Sequence, residues 1–114
     1  MAFIPQTYLD DKVRPWTYLP LSAAAHTVGE YISGQNAVCM RNKTTVEGEL
    51  TPCVKVDDNI IFEAPLTVNS SSIAIGTAYT VTSAGVTATT ASGVFVITEF
   101  DGKTAGDLVR GYFK

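Results

Sequence analysis

Short runs in which apolar and β-branched residues alternate with polar ones fill most of this chain. The stretch "GTAYTVTSAGVTATTASGVFVITEFDG", residues 76–102, is rich in Thr, Val, Ala and Ser and acquires charge only at its end. β-Branched residues favour strands, and threonine can face water without adding a charge. Turn residues recur about every 8 to 12 positions, which is typical of an antiparallel sandwich or barrel. The pattern predicts an all-β fold, a small antiparallel β-sandwich or β-barrel with an extended N-terminal arm.

The second half of the chain separates into strand and turn segments. "TAYTVTSAGVTATT" predicts a hairpin with its tip at residues 83–85. "GVFVITEF" predicts a nearly continuous apolar strand, after which residues 101–102 turn the chain toward "DLVRGYFK". A terminal helix over "AGDLVRGYF" is disfavoured by Gly106 and Gly111. This part of the chain therefore supplies sheet and little else.

The middle of the chain also predicts strands. "NAVCMRN" and "ELTPCVKV" each have the length and composition of a short strand, and residues 57–59 predict a turn into "IIFEAPL". Proline cannot donate a hydrogen bond to a neighbouring strand. We therefore expect Pro52 to lie in an edge strand or at a bulge.

The first 21 residues, "MAFIPQTYLDDKVRPWTYLPL", differ from the rest. Three prolines interrupt any helix or strand pairing, yet most of the other residues are large and apolar. We expect an extended apolar arm over residues 1–21 and a single β domain over residues 22–114. The arm must bury its side chains either across its own domain or on another subunit, and the sequence leaves both alternatives open.

Length and charge exclude several classes of protein. A chain of 114 residues can bury one core. Its formal charge of -3, with eight scattered Lys and Arg residues, does not favour binding to a nucleic-acid backbone. Neither a secretion signal nor a run of about 18 apolar residues is present. We expect a soluble protein made in a cytoplasm, without membrane association, in which Cys39 and Cys53 are buried free thiols.

Few residues have the chemistry for catalysis. His26 is the only histidine and has no obvious carboxylate partner in its own segment, so a structural role is expected. Adjacent carboxylates at residues 10–11 and 57–58 point to opposite sides of an extended chain. Cys39 and Cys53 lack the C-x-x-C spacing of a zinc site. We expect no enzymatic activity, no metal ion and no cofactor, which leaves a binding or structural protein.

Five blocks of the sequence carry a resemblance to a known family. They are "TYLPL" (17–21), "VCMR" (38–41), "GELTPCVKVDDNIIFEAPL" (48–66), "GTAYTVTSAGVTATTASGVFVITEFDG" (76–102) and "AGDLVRGYF" (105–113). In this order they resemble the head fiber and capsid decoration (cement) proteins of tailed bacteriophages. The resemblance covers most of the chain from Thr17 onward, and it lies in the order of the blocks rather than in a catalytic motif.

The resemblance implies a structural virion protein. Members of the family bind the outer surface of an assembled capsid and bridge neighbouring major capsid proteins, commonly as a homotrimer. The expected location is therefore the outer capsid surface, after synthesis in the host cytoplasm. Some members carry a long C-terminal fiber, whereas this chain ends at Lys114 directly after a predicted strand, so we expect a decoration or cement protein.

The arm supplies the candidate contact residues. Aromatic and large apolar side chains dominate the anchors of protein interfaces. The candidates for capsid or subunit binding are Ile4, Tyr8, Trp16, Tyr18 and Leu19. We expect them either to hold a trimer together or to reach onto the shell. The alternative function is a small β-sandwich carbohydrate-binding module, which would need exposed aromatic side chains flanked by amides and acids.

Overall fold

The computed structural model describes residues 3–8, 16–21, 24–56 and 60–114. The one helix in these ranges is a short 3-10 turn at Ser33–Gln35, and none of the helical structure described could cross a membrane. All other regular structure in these ranges is strand. The strands are β1 (Ile4–Tyr8), β2 (Trp16–Pro20), β3 (Tyr31–Ile32), β4 (Ala37–Cys39), β5 (Leu50–Lys55), β6 (Ile60–Pro65), β7 (Ala78–Tyr79), β8 (Val81–Thr82), β9 (Gly85–Val86), β10 (Phe95–Phe100) and β11 (Leu108–Phe113).

Two antiparallel sheets pack against each other as a sandwich. A five-stranded sheet has the order β1-β6-β11-β10-β7, and a four-stranded sheet has the order β2-β5-β4-β3. β8 and β9 form the predicted hairpin, with the turn at residues 83–84 between them. The last strand of the chain, β11, is the middle strand of the larger sheet. The prediction of an all-β antiparallel fold is confirmed.

Aromatic side chains from both sheets fill the space between them. Tyr31 of β3 stacks on Phe113 of β11, with ring centroids 4.8 Å apart. Phe95 and Phe62, from two other strands of the five-stranded sheet, meet Phe113 edge-on at 5.1 Å and 5.4 Å. Such pairs add a geometric preference to the burial of a large apolar area. The core therefore lies between the sheets and is centred on Phe113.

The described segments of the predicted arm are strands of this sandwich. β1 pairs with β6 at one edge of the larger sheet, and β2 pairs with β5 at one edge of the smaller sheet. Phe3, just before β1, is fully buried. Its ring lies 5.3 Å from that of Phe113, and its backbone N–H donates to the carbonyl of Gly29 at 2.8 Å. The described parts of the arm thus lie on their own domain and close its core.

Pro52 is neither in an edge strand nor at a bulge, so this prediction was wrong. β5 lies between β2 and β4, and its register with β2 continues through Pro52 without a shift. The Pro52 carbonyl accepts from the Met40 N–H at 2.9 Å. Because the N and C=O of a strand residue face the same neighbour, the missing N–H points toward the residue that follows β4. The proline therefore leaves the pairing of β4 with β5 intact and removes only the reciprocal hydrogen bond to the Met40 carbonyl, at the point where the ladder ends.

The close approach of two strands requires a glycine in β11. A Cβ at Gly111 would overlap the carbonyl oxygen of Val96 in β10 and lie 2.9 Å from the ring of Phe95. The expectation that the C-terminal segment is a strand rather than a helix is confirmed. Gly111 has a packing role there, because it lets the backbone of β11 lie directly against Phe95.

Candidate binding surface

A contiguous apolar patch is exposed at one end of the four-stranded sheet. Tyr18 lies opposite Pro52 and Pro20 lies opposite Leu50 in the register of β2 and β5. Residues that are opposite each other, or two apart along a strand, share a face of the sheet. We call these four residues the β2–β5 patch. Tyr18 is 66% exposed, Leu50 is 59% exposed, Pro20 is exposed and Pro52 is half-buried.

The β2–β5 patch continues the core-facing side of its sheet. Along β5 the exposed fraction falls from 59% at Leu50 to 0% at Val54, which packs with Val38 in the main core. The same face of one strand is thus covered at one end and uncovered at the other. A contiguous apolar surface of this kind is typical of an interaction site, whereas isolated exposed apolar residues need no explanation.

A second, smaller apolar cluster supports the β2–β5 patch from the other face of the sheet. Its residues are Leu19, Leu21, Ile32, Ala37 and Cys53. Leu19 lies opposite Thr51, which is fully buried, so this side of β2 and β5 is covered. Since each strand is packed from behind, the exposed side chains are held on a fixed backbone. Preorganisation of this kind lowers the entropy cost of binding a partner.

A buried lysine anchors the loop that leads into β5. The side chain of Lys43 is nearly inaccessible, at 3% exposure. Its ammonium donates to the carbonyl oxygens of Ala24 at 3.2 Å, Thr44 at 2.7 Å and Val46 at 2.9 Å. Three acceptors match the three hydrogens of an ammonium group and offset its loss of hydration. The lysine thus holds the loop in place before the chain enters β5 at Leu50.

His26 has a carboxylate partner that the sequence analysis missed. Its Nδ1 contacts Oε2 of Glu30, and the two side chains are only 14% and 20% exposed. Residues four apart meet in a helix, but here a turn at residues 28–29 brings them together. The backbone of His26 also exchanges two hydrogen bonds with Lys43, at 2.8 Å and 3.2 Å. The pair therefore belongs to the anchor of the Lys43 loop.

The five sequence-predicted contact residues do not gather in one place. Tyr18 is in the β2–β5 patch, whereas Leu19 faces the opposite way and packs in the second cluster. Ile4 is half-buried in β1, which belongs to the other sheet. For Tyr8 and Trp16 the structure describes the backbone pairing with β6 and β5, and their side chains lie outside the description. Of the three candidates whose side chains are described, Tyr18 is thus the one that is exposed in the patch.

Three members of the β2–β5 patch were missed from the sequence. Pro20, Leu50 and Pro52 carry no chemical signal that separates them from residues that fill a core. Alternation in "ELTPCVKV" places Leu50, Pro52 and Val54 on one face, but it does not indicate where the other sheet stops covering that face.

The paired carboxylates at residues 10–11 and the predicted turn at residues 57–59 lie outside the described residues.

The outer face of the five-stranded sheet is charged rather than apolar at its centre. Arg110 of β11 contacts Glu63 on one neighbouring strand at 3.1 Å and Glu99 on the other at 2.8 Å. It also forms two hydrogen bonds with Asp101, at 3.0 Å and 3.1 Å. The hydrogen bonds to Asp101 raise the pKa of the guanidinium above its ordinary value. This face is compatible with water and contrasts with the β2–β5 patch.

The described residues include neither a cluster of metal-ligating side chains nor an unpartnered buried polar side chain. Within residues 3–8, 16–21, 24–56 and 60–114, no group of three or more His, Cys, Asp and Glu side chains could hold a metal ion. In the same ranges every buried side-chain nitrogen and oxygen has a hydrogen-bond partner. An unpartnered buried polar group is a common mark of a catalytic or ligand site. The exposed apolar patch is therefore the candidate functional surface.

Comparison of the chain with family models, with curated proteins and with solved structures gave no match. The resemblance to phage capsid decoration proteins accordingly stays a prediction from the order of the sequence blocks. The assignment of the β2–β5 patch as the candidate surface rests on the strand register and side-chain exposure of this chain alone.

Proposed function

We propose that this protein is a structural subunit of a virion, which binds the outer surface of a tailed-bacteriophage capsid as a decoration or cement protein. The order of the sequence blocks suggests the family. The observation that carries the proposal is the β2–β5 patch, an apolar surface on a rigid strand pair that is exposed at the end of the sandwich. The proposed partner is the major capsid protein.

The geometry of the β2–β5 patch suits a protein that acts through contact. Tyr18 projects from the patch, and tyrosine is among the residues that most often dominate interface energies. A subunit that reinforces a shell needs complementary area at many equivalent positions, and it needs no nucleophile, base or metal ion. A capsid contact of this type would bury Tyr18 and Leu50 together, because they lie on the same face.

The free edge of β2 offers a second mode of contact. Among the described residues, β2 pairs on one side only, with β5. The backbone groups on its other side can pair with a strand from a partner. The same strand therefore presents the Tyr18 side chain and a backbone edge to one neighbour. A neighbouring subunit of a homotrimer or a capsid segment could use this edge.

Trimerisation would make a weak single contact effective. When one subunit of a trimer has bound the shell, the contacts of the other two become intramolecular, and the retention of the whole trimer rises steeply. A homotrimer on the outer capsid surface, assembled from chains made in the host cytoplasm, is the form that we propose. Neither nucleic acid, a membrane nor a catalytic step is part of this function.

The alternative, a carbohydrate-binding module, has less support from the β2–β5 patch. Tyr18 is exposed as a sugar platform would be. Its neighbours in the patch are Pro20, Leu50 and Pro52, whose side chains offer no hydrogen bonds to a sugar. Carbohydrate sites combine an aromatic platform with polar groups that fix the hydroxyls. A glycan array probed with the purified protein distinguishes this alternative from the capsid.

The test is retention on capsids. We expect the purified protein to be a trimer by light scattering and to co-sediment with undecorated phage capsids. The double variant Tyr18→Ser, Leu50→Ser should stay folded and lose most of the co-sedimentation. Ile75→Ser is the matched control, because Ile75 is 65% exposed and precedes β7 in the other sheet. A monomer that ignores capsids, or a double variant retained like the control, would contradict the proposal.

A further inference from the structure

Two cysteines that are distant in the sequence face each other across adjacent strands. Cys39 of β4 lies directly opposite Cys53 of β5 in an unshifted antiparallel register. The next pair, Met40 and Pro52, is joined by a backbone hydrogen bond of 2.9 Å. Because the two kinds of pair alternate along an antiparallel ladder, the cysteines occupy a non-hydrogen-bonded position. At such positions the opposed side chains approach each other most closely.

This arrangement has the dimensions of a disulfide. Opposed Cα atoms in a non-hydrogen-bonded pair are about 4.5 Å apart, and disulfides join Cα atoms separated by about 4.4 to 6.8 Å. Both side chains are on the same face of the sheet and both are completely buried. The Cys39 thiol donates to the carbonyl of Arg41 at 2.8 Å, and the Cys53 thiol donates to the carbonyl of Thr51 at 3.4 Å. In the structure both are free, so bond formation requires rotation of the side chains and little movement of the backbone.

We propose that Cys39 and Cys53 are an oxidation site that forms an intrachain, cross-strand disulfide when the protein meets an oxidising environment. The oxidant is a low-molecular-weight disulfide such as oxidised glutathione. The thiolate of one cysteine attacks a sulfur of this disulfide, forms a mixed disulfide and releases one small thiol. The thiolate of the other cysteine then attacks the protein sulfur of the mixed disulfide and displaces the second small thiol. The protein loses two electrons and two protons, and the small disulfide is reduced.

Burial slows oxidation of the pair once the protein has folded. Desolvation, with a smaller contribution from the neighbouring Cys39, raises the pKa of the Cys53 thiol to about 11. The reactive thiolate is therefore scarce at neutral pH. Neither sulfur is accessible to a reagent in the closed sheet, so the first attack requires local opening of β4 and β5. The site is thus slow to react and is cross-linked only after long exposure or during folding in an oxidising medium.

The disulfide would fasten the strand that carries part of the β2–β5 patch. β5 contributes Leu50 and Pro52 to that surface and Cys53 to the cluster behind it. A cross-link to β4 closes the loop between the strands, which contains the Lys43 anchor, and it restricts the unfolded chain. The inference depends on the geometry of β4 and β5 alone, so it stands or fails independently of capsid binding.

The experiment refolds the full chain from the reduced, denatured state in buffers with rising ratios of oxidised to reduced glutathione. Free thiols are then trapped by alkylation, and the products are analysed by mass spectrometry and non-reducing electrophoresis. We expect a monomer that has lost two hydrogen atoms and carries neither alkyl groups nor glutathione. Its Tm should exceed that of the reduced protein by about 10 °C. The proposal is overturned if, with oxidised glutathione in excess, the products keep both thiols, carry glutathione or are cross-linked dimers.

Single variants assign the effect to the cross-strand bond. Cys39→Ala and Cys53→Ala each leave one thiol, and their Tm in reducing buffer shows whether they are folded. We expect both to end as glutathione adducts or free thiols with no gain in Tm on oxidation. An equal gain in either variant would show that the stabilisation has another origin and would overturn the proposal. If both variants fail to fold, the mass and Tm of the unmodified chain still decide.

Discussion

The aromatic core and the β2–β5 patch both consist of large apolar and aromatic side chains, but the core is buried and the patch is exposed to solvent. Phe3, Phe95 and Phe113 lie between the two sheets and are excluded from water. Tyr18 and Leu50, which alternate along their strands in the same way, face solvent. The difference is whether another sheet covers them. Apolar alternation along a strand thus identifies a face, whereas exposure depends on what is packed over that face.

The outer face of the five-stranded sheet provides a second contrast. Its centre is occupied by Arg110 between Glu63 and Glu99, so this face is satisfied by water and ion pairs. The four members of the β2–β5 patch are two prolines, a leucine and a tyrosine, and none of them carries a charge. Removing an apolar surface from water lowers the free energy, so the β2–β5 patch favours association with a partner in a way that the charged face does not.

The largest loss of stability is expected for Gly111→Ala, in the covered region. The new Cβ meets the backbone of Val96 and the ring of Phe95, neither of which can move without disturbing the core. We expect a loss of about 3 kcal/mol or more in the free energy of unfolding, measured with urea. Gly34→Ala is the control, because a Cβ there has no atom within 4 Å. Equal effects of the two changes would contradict the close approach of β11.

Phe3→Ala tests whether the start of the predicted arm belongs to the covered region. Phe3 is fully buried against Phe95 and Phe113, and its removal leaves a cavity. We expect a loss of about 3 to 4 kcal/mol in urea unfolding. Ile75→Ala, at an exposed apolar position, should change stability by less than about 0.5 kcal/mol. If Phe3→Ala costs no more than Ile75→Ala, the arm does not close the core.

Lys43→Met probes the support of the uncovered region. Methionine keeps most of the apolar stem but leaves three backbone carbonyls without their ammonium donor. We expect a loss of about 2 to 3 kcal/mol in the free energy of unfolding. Lys55→Met is the control, since Lys55 is exposed and makes one hydrogen bond, to Gln35 at 3.3 Å. Similar values for both variants would show that the Lys43 anchor contributes nothing specific.

The cluster behind the patch should make stability depend on alkaline pH. Cys53 has a pKa of about 11 when folded and an ordinary value of 9.0, so the unfolded chain releases its proton first. The contribution of Cys53 is complete below pH 9 and is lost as the pH rises to about 11. Relative to Cys53→Ala in reducing buffer, the unmodified protein should lose about 1 kcal/mol between about pH 8 and pH 10. Parallel pH profiles of the two proteins would contradict this assignment.

The smallest effect on stability is expected in the β2–β5 patch itself. Tyr18→Ser should change the free energy of unfolding by less than about 0.5 kcal/mol, because the side chain is already 66% exposed. Urea unfolding alongside Ile75→Ser provides the measurement. A loss of about 2 kcal/mol or more would mean that Tyr18 helps to hold the sandwich together. The patch would then be part of the fold rather than a free surface.

Local chemistry was sufficient to predict many of the elements. Threonine and valine content marked the strands, the residues at 83–85 marked the hairpin turn, and Gly106 and Gly111 argued against a terminal helix. The prediction for Pro52 was wrong because it assumed that a proline must avoid a central strand. The pairing between β4 and β5 ends next to Pro52, on the side that its backbone nitrogen faces. The sequence of one strand does not indicate how long the neighbouring strand is.

The members of the β2–β5 patch were harder to predict from the sequence than the strands were. Tyr18 was identified because it is an aromatic residue in a proline-rich segment, but Leu50 and Pro52 look like any other strand residues until the extent of the covering sheet is known. The contact between His26 and Glu30 likewise depends on a turn rather than on a periodic pattern.

The sequence alone determined that this chain forms antiparallel β structure with one apolar face per strand, because strand propensity and alternation act between residues close together in the chain. The tertiary structure decided which faces are covered, why Gly111 must be glycine, and that Cys39 meets Cys53. These features depend on contacts between segments that are far apart in the chain. Their register is set by the packing of whole sheets, so no local pattern can specify them.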